Sequence, residues 1–346
     1  MDVNFESPTN EITLPAGFAA RPGRIEDYMP AFDLVNAYAQ RLNGRDDLTD
    51  PELIRNDWQN AGFNPETDIR TVYAPDGTLV GLAECWLTSM PPVHPWNWVC
   101  VHPDHMGRGI WEYLLTWGEN HSRSALEMVE SELRVAPRTG TEHHNEAGVQ
   151  TIRNLGWTHI RSYYRMETDL DSAPDVPALP EGIIIRSFDP ATETEAVYHC
   201  FVDSFRDHFG FLEQPFEHGF KEFKHNLIDE PGHDPNYWFV AVDGDGIAGI
   251  CLCRPVDAED PESGWVNELG VRRPWRKKGI AYALLKHSFS AFHARGQKRA
   301  ALGVDATSLT GALRIYEKAG MHVARQFDQF EKELRPGREI STQQVE

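Results

Sequence analysis

The feature that most constrains this fold is repetition. Leu14-Pro15-Ala16-Gly17, ahead of an amphipathic run over 25–38, returns as Leu179-Pro180-Glu181-Gly182 ahead of a second such run over 194–205. A hairpin signal follows in each half. Residues 71–74 and 79–86 flank Pro75-Asp76-Gly77, and 238–242 and 247–253 flank Asp243-Gly244-Asp245-Gly246. The next strands, 97–101 and 267–271, each lead through a glycine-containing turn into a helix, 105–122 and 275–294. Leu133-Arg134-Val135 and Ala301-Leu302-Gly303-Val304 then read as strands before helices that stop at Gly156 and Gly320. Strands over 163–167 and 329–333 close the two halves.

Similarity of this extent is what a duplicated domain leaves. Each unit reads strand–helix–strand–strand–strand–helix–strand–helix–strand, a mixed α/β domain of about 160 residues, an ordinary domain size. A chain of 346 residues accommodates two such cores. The expected organisation is a domain over 1–170, a Pro-, Asp- and Ala-rich linker over 171–180, a second domain over 181–335 and a polar, disordered tail over 336–346. Residues 1–13 also read as loose.

Charge and cysteine usage narrow the chemistry. With 53 acidic against 33 basic residues and a formal charge of −20, a general nucleic-acid surface is not expected. Such a balance suits a small cationic substrate, or solubility alone. No run approaches the roughly 18 apolar residues of a membrane span, and Met1-Asp2-Val3-Asn4-Phe5-Glu6 lacks a signal-peptide layout, so a cytoplasmic, membrane-free protein is expected. Five scattered cysteines argue against a disulfide framework. Cys251 and Cys253 fall on one face of a strand without partner ligands, and His143-His144 lacks further ligands too, so no metal is expected.

Against this acidic background, the stretch from Asn267 to Ala281 stands out. Asn267-Glu268-Leu269-Gly270-Val271 reads as a strand, Arg272-Arg273-Pro274-Trp275-Arg276-Lys277-Lys278 as a basic loop, and Gly279 as the start of a helix. Such a junction offers free N–H groups and the positive end of a helix dipole to an anion.

These residues resemble the signature of the GNAT superfamily of N-acetyltransferases, Gln/Arg-x-x-Gly-x-Gly/Ala at a strand–helix junction, matched by Arg276-Lys277-Lys278-Gly279-Ile280-Ala281. A second family pattern, Leu-Tyr-Glu-x-x-Gly-Phe at a helix end, is matched by Ile315-Tyr316-Glu317-Lys318-Ala319-Gly320-Met321. The duplication with its Leu-Pro-x-Gly openings is similar to the tandem two-domain branch typified by mycothiol synthase. The resemblance implies an α/β protein of two tandem GNAT-like domains, each a mixed, mostly antiparallel sheet flanked by helices. It implies acetyl-CoA as co-substrate and a small-molecule amine that attacks directly, without a covalent enzyme intermediate.

Carried onto this chain, the pyrophosphate would fall to Arg276, Lys277, Lys278, Gly279, Ile280 and Ala281, and the pantetheine to the backbone of Leu269 and Val271. Ser308 stands where the family often carries an Asn. Glu268 is the candidate base that frees the amine, the alternative being an edge or solvent-facing glutamate. Tyr316 is the candidate acid for the leaving thiolate, the alternative being a helix tyrosine that packs on the sheet. Residues 201–220, rich in aromatics and including His208 and His218, either line the acceptor site or pack. The resemblance also leaves open an acceptor of the cysteinyl-glucosaminyl-inositol kind, or a CoA-binding sensor without catalysis.

The first half departs from the pattern. Met106 stands for Arg276, Trp111 for Ala281, Trp98 for Glu268 and Ile152 for Tyr316, although Asn145 is present at a helix start. An indole where backbone must approach a pyrophosphate is a steric obstacle. The expectation is one working cofactor site, in the second half.

Overall fold

A computed structural model describes residues 12–244, 246–308 and 311–344. The expected loose stretch before residue 12, Asp245 of the second hairpin turn and the last two tail residues lie outside them. The strands are β1 (Ala19–Pro22), β2 (Ile69–Tyr73), β3 (Leu79–Trp86), β4 (Trp96–Val101), β5 (Arg138–Glu142), β6 (Thr158–Asp169), β7 (Ile183–Ser187), β8 (Trp238–Asp243), β9 (Gly246–Arg254), β10 (Ser263–Val271), β11 (Arg299–Asp305) and β12 (His322–Glu331). The helices are α1 (Tyr28–Asn43), α2 (Glu52–Asp57), α3 (Pro65–Asp68), α4 (Ile110–Ser122), α5 (Ala125–Met128), α6 (Glu146–Asn154), α7 (Thr194–Phe205), α8 (Phe216–Leu227), α9 (Ile280–Arg295) and α10 (Ala312–Lys318).

In place of two sheets there is one. Its order is β1-β2-β3-β4-β5-β12-β6-β11-β10-β9-β8-β7, antiparallel except for β4–β5 and β10–β11. The physical reason is an exchange of closing strands. β12 pairs with β5 and β6 pairs with β11, and the two exchanged strands pair with each other at the centre. The cores follow the exchange. Phe330 of β12 is fully buried among Val72, Leu114 and Ile152 of the first half, and Met166 of β6 among Leu285, Phe289 and Leu302 of the second. Each such side chain contributes about 1.5–3 kcal/mol by leaving water, so either half alone would expose part of its own core.

Both faces of the sheet are covered. On β8, Trp238, Val240 and Val242 pack with α7 and α8, while Phe239 and Ala241 meet α9. On β9, Ile250 and Leu252 face the first layer, and Cys251 and Cys253, with sulfurs 3.5 Å apart, face the second. Burial on both faces explains why these strands read as unbroken apolar runs.

Three local expectations are corrected. The strand expected at Leu133-Arg134-Val135 lies instead at Arg138–Glu142, and Leu133 and Val135 make only isolated bridges to Arg338 and Arg335. Those bridges show that the expected loose tail is bound. The Arg335 guanidinium donates to carbonyls of Leu126, Val129 and Leu133, and Thr342 exchanges backbone hydrogen bonds with Gly210 and Phe211. The helices expected from residues 105 and 275 begin at Ile110 and Ile280, because a 3₁₀ turn and a glycine with positive φ intervene in each case.

The feature that positions the site is a split in the sheet. The parallel β10–β11 ladder runs from Ser263–Arg299 to Val266–Leu302 and ends, as a bulge at Asn267 turns β10 away. The β4–β5 ladder ends likewise after Asn97–Thr139.

Candidate active site

Beyond the split, residues 268–271 keep ladder partners on β9 but have none on β11. A groove of about 760 Å³ opens there, bounded by Leu269, Val271, Gly279, Ala281, Ala312 and Tyr316. At its floor α9 starts from Gly279 at φ +83° with no side-chain cap, so the first-turn N–H groups have no intrahelical acceptor. A Cβ at Gly279 would meet nothing, but that φ disfavours any side chain. Lys277 is held at φ +61°, where the matching first-half residue is Gly107 at φ +71°. A non-glycine residue in that region costs on the order of 1–2 kcal/mol, and strain of this kind gathers at functional sites. Left-handed residues at 277 and 279 bend the loop, a backbone geometry that can turn N–H groups toward a common point.

The basic residues of the loop separate into different roles. Arg276 donates from Nε to the Val271 carbonyl at 2.9 Å, from Nη2 to the Ser204 carbonyl at 3.1 Å, and from Nη1 to Asp207. Asp207 also pairs with Arg273, and these guanidiniums hold its carboxyl down at about 2, below the usual range. Arg276 therefore ties the loop to the end of α7 and acts as a clamp. Lys277 lines the groove, whereas Lys278 is exposed outside it.

The groove continues into a cavity of about 260 Å³ between the split strands, and His208, Leu269, Ala312 and Tyr316 line both. Glu268 lies inside it without a hydrogen-bond or ion-pair partner among the described residues, and burial pushes its carboxyl up to about 8. Tyr316 is buried between the two spaces, and burial together with Glu268 raises its phenol well above the usual value. Ser308 lines the cavity rather than the loop end of the groove.

Part of this cavity was not singled out from the sequence. Tyr163 comes from β6, the exchanged strand of the first half. Two residues earlier, Arg161 grips Asp305 through Nε and Nη2 at 2.9 and 2.7 Å and lies over the Phe209 ring at 4.4 Å. No local signal marks these residues, since only the strand exchange brings them here. The aromatic segment divides as both alternatives allowed. Phe205, His208 and Phe209 line the cavity, while Phe201 and Phe220 pack against Tyr198 and Phe223, which flank the segment. His218 binds the Thr88 carbonyl at 2.8 Å and joins the halves.

In the first half the loop backbone survives, but an indole stands where the second half has the Ala281 methyl. α4 starts from Gly109 at φ +81°, again uncapped. The Trp111 ring then lies against α6 so closely that a Cβ at Gly148 would overlap it. Ile152 is fully buried, and Asn145 caps α6 while donating to Tyr38 and Thr141.

In sequence and in overall fold the chain is similar to known proteins. The Acetyltransferase (GNAT) family profile matches residues 194–321. The solved structure of a GCN5-related N-acetyltransferase from Sphaerobacter thermophilus is 31% identical, with a TM-score of 0.78, over 95% of this chain and 100% of that one. The chain belongs to the GNAT family. A mycothiol acetyltransferase from Streptomyces scabiei is 29% identical over 249 residues, covering 70% of this chain and 72% of that protein. A tandem GNAT protein from the clavulanic acid biosynthesis pathway shares the fold at 15% identity, with a TM-score of 0.66, over 93% of this chain and 100% of that one.

Among the described residues this GNAT protein has no group of three or more His, Cys, Asp or Glu placed to hold a metal, and no helix long and apolar enough to cross a membrane. His143 and His144 are exposed, bonded to Asp328 at 2.7 Å and to the Leu42 carbonyl at 2.9 Å.

Proposed function

We propose that the chain is two GNAT-like halves sharing one sheet, and that the second transfers acetyl from acetyl-CoA to the amine of a small molecule. One observation carries this reading: Glu268 and Tyr316 border a continuous space whose other end is an open, uncapped helix start. The pyrophosphate would lie on the N–H groups around Gly279–Ala281 with Lys277 beside it. The pantetheine would run along β10, where Leu269 and Val271 have no partner strand on β11, and add to it as a further strand.

The acceptor arrives as an ammonium, which has no lone pair to attack with. Glu268, with a carboxyl at about 8, takes one proton when it is ionised, a form that grows as the pH rises through that value. The amine nitrogen then bonds to the acetyl carbon, and the carbon–sulfur bond breaks. The second nitrogen proton follows the departing sulfur, giving an amide and free CoA. With its raised phenol, Tyr316 acts by donating a hydrogen bond to the developing thiolate more than by surrendering its proton. Strand β6 completes the acceptor wall through Tyr163, so the first half serves the site structurally.

The test is thiol release from acetyl-CoA against aminoglycosides, polyamines, amino acids and cysteinyl-glucosaminyl-inositol. The last has a specific warrant, since relatives 26–29% identical carry the name mycothiol acetyltransferase. Acceptor-dependent release that Glu268→Gln suppresses supports the reading. Saturable acetyl-CoA binding with no release from any amine would favour a CoA sensor instead.

A further inference from the structure

A second cavity, also of about 260 Å³, lies in the first half where the acceptor cavity lies in the second. It opens where the β4–β5 ladder stops, as the other opens where β10–β11 stops. The ladders set the correspondence: Glu142 faces Phe327 across β5–β12, and Asp305 faces Tyr163 across β11–β6. Two residues before each aromatic stand Arg325 and Arg161. Trp111 closes the neighbouring groove but does not line this cavity, so the recess survives without a thioester site beside it.

The lining carries polar groups that the protein does not satisfy. Arg165 is fully engaged, with Nε on Glu167 at 2.7 Å, Nη1 at 3.1 Å from Glu259, and Nη2 on Asp257. Arg325 holds Glu259 through Nη2 at 2.7 Å, but its Nε and Nη1 are buried with no hydrogen-bond partner among the described residues. Oε2 of Glu142 and Oδ1 of Asn43 are buried and unpartnered in the same sense. Asp47 also lines the recess without an ion-pair partner among the described residues, and burial beside Glu259 pushes its carboxyl up to about 6. Buried polar atoms are nearly always paired. In the second half, Arg161 and Asp305 satisfy each other at 2.7 Å. Here the matching Arg325 and Glu142 stand 3.6 Å apart, too far for a hydrogen bond.

We propose that this recess binds a small zwitterion with a primary ammonium and a carboxylate, of the size and charge of a free amino acid. The ammonium would be held by Asp47, Glu142 and Asn43, and the carboxylate by Arg325, as charge-assisted hydrogen bonds. The lining fits: three carboxylates, Asp47, Glu142 and Glu259, stand against one guanidinium with donors to spare. The volume lies just below the range of about 300–1,000 Å³ usual for drug-sized ligands. This site is independent of the transfer reaction and uses none of its residues.

Titration calorimetry on the full chain without acetyl-CoA tests it, with glycine, L-serine, L-ornithine and L-arginine as probes and putrescine (ammonium groups only) and succinate (carboxylates only) as controls of one charge sign. The expected result is one site per chain for at least one amino acid, weakened about tenfold or more by Asp47→Asn, equivalent to about 1.4 kcal/mol. Asn43→Ala is expected to weaken it less, and Glu268→Gln to leave it unchanged. Asp47→Asn removes a charge that burial already disfavours, so its melting temperature should not fall, and this separates lost binding from lost fold. The proposal is overturned if no amino acid binds, if Asp47→Asn binds like the parent, if Glu268→Gln abolishes binding, or if either control binds as tightly.

Discussion

The loops at Gly109 and Gly279 have nearly the same backbone and opposite consequences. Both pass through a 3₁₀ turn, both place a glycine near φ +80°, and both start an uncapped helix. Two residues on, one presents Trp111 and the other Ala281. The indole packs on α6 at Gly148 and closes the space, while the methyl group leaves a groove of about 760 Å³ between α9 and α10. A helix N-terminus is thus an anion site only where its approach stays open. The loop conformation alone does not separate a binding half from a filled one.

The largest effect should come from making the open half resemble the closed one. Ala281→Trp is expected to abolish acetyl-CoA binding in calorimetry, a loss of at least about 100-fold, while the fold melts cooperatively as before, since loss of uniform binding need not touch the core. Retained affinity would separate the groove from the cofactor site. Next is the pair that stands at Ile152 and Tyr316. Tyr316→Phe should lower turnover by roughly 10²-fold with acetyl-CoA affinity nearly unchanged; equal turnover would remove the phenol from the mechanism.

Glu268→Gln sharpens the contrast with Trp98. The parent rate should rise with pH through about 8 as the carboxyl ionises, and the variant should lose that limb and about 10²-fold in rate. The stability effect has the opposite sign. The folded state raises this carboxyl from 4.5 to about 8, so it favours the protonated form, and its contribution is lost as pH rises across that window. Above pH 8 the glutamine variant should therefore melt higher than the parent. The smallest expected effect is at Lys277. Replacing it by glycine, as at Gly107, should relieve left-handed strain and raise stability by up to about 1 kcal/mol, while weakening acetyl-CoA binding severalfold. Unchanged affinity would mean that the strained lysine serves the loop and not its ligand.

Legibility in the sequence followed the range of the interactions. Helix α7 lies at the expected residues 194–205, because amphipathic spacing is a local property. The basic loop, Glu268 and Tyr316 were legible too, as they sit in short patterns with fixed relations to a strand end and a helix end. Arg276 shows the limit of such reading. A cation in a phosphate-binding motif suggests contact with phosphate, yet its three nitrogens are bound to Val271, Ser204 and Asp207. Asp207 carries no mark in the sequence that would announce a partner 69 residues away.

What the sequence determined by itself was a doubled order of elements and one half in which small residues stand where the other has an indole. Periodicity, turn chemistry and residue size act over a few neighbours, so they can be read in a line. Only the tertiary structure decided that the two orders share one sheet, with β6 and β12 exchanged across its centre. An exchanged strand makes the same kind of ladder with either half's neighbour, so its alternation is silent about which half it joins. That choice places Tyr163 of the first half in the cavity wall of the second, and Arg325 of the second in the recess of the first.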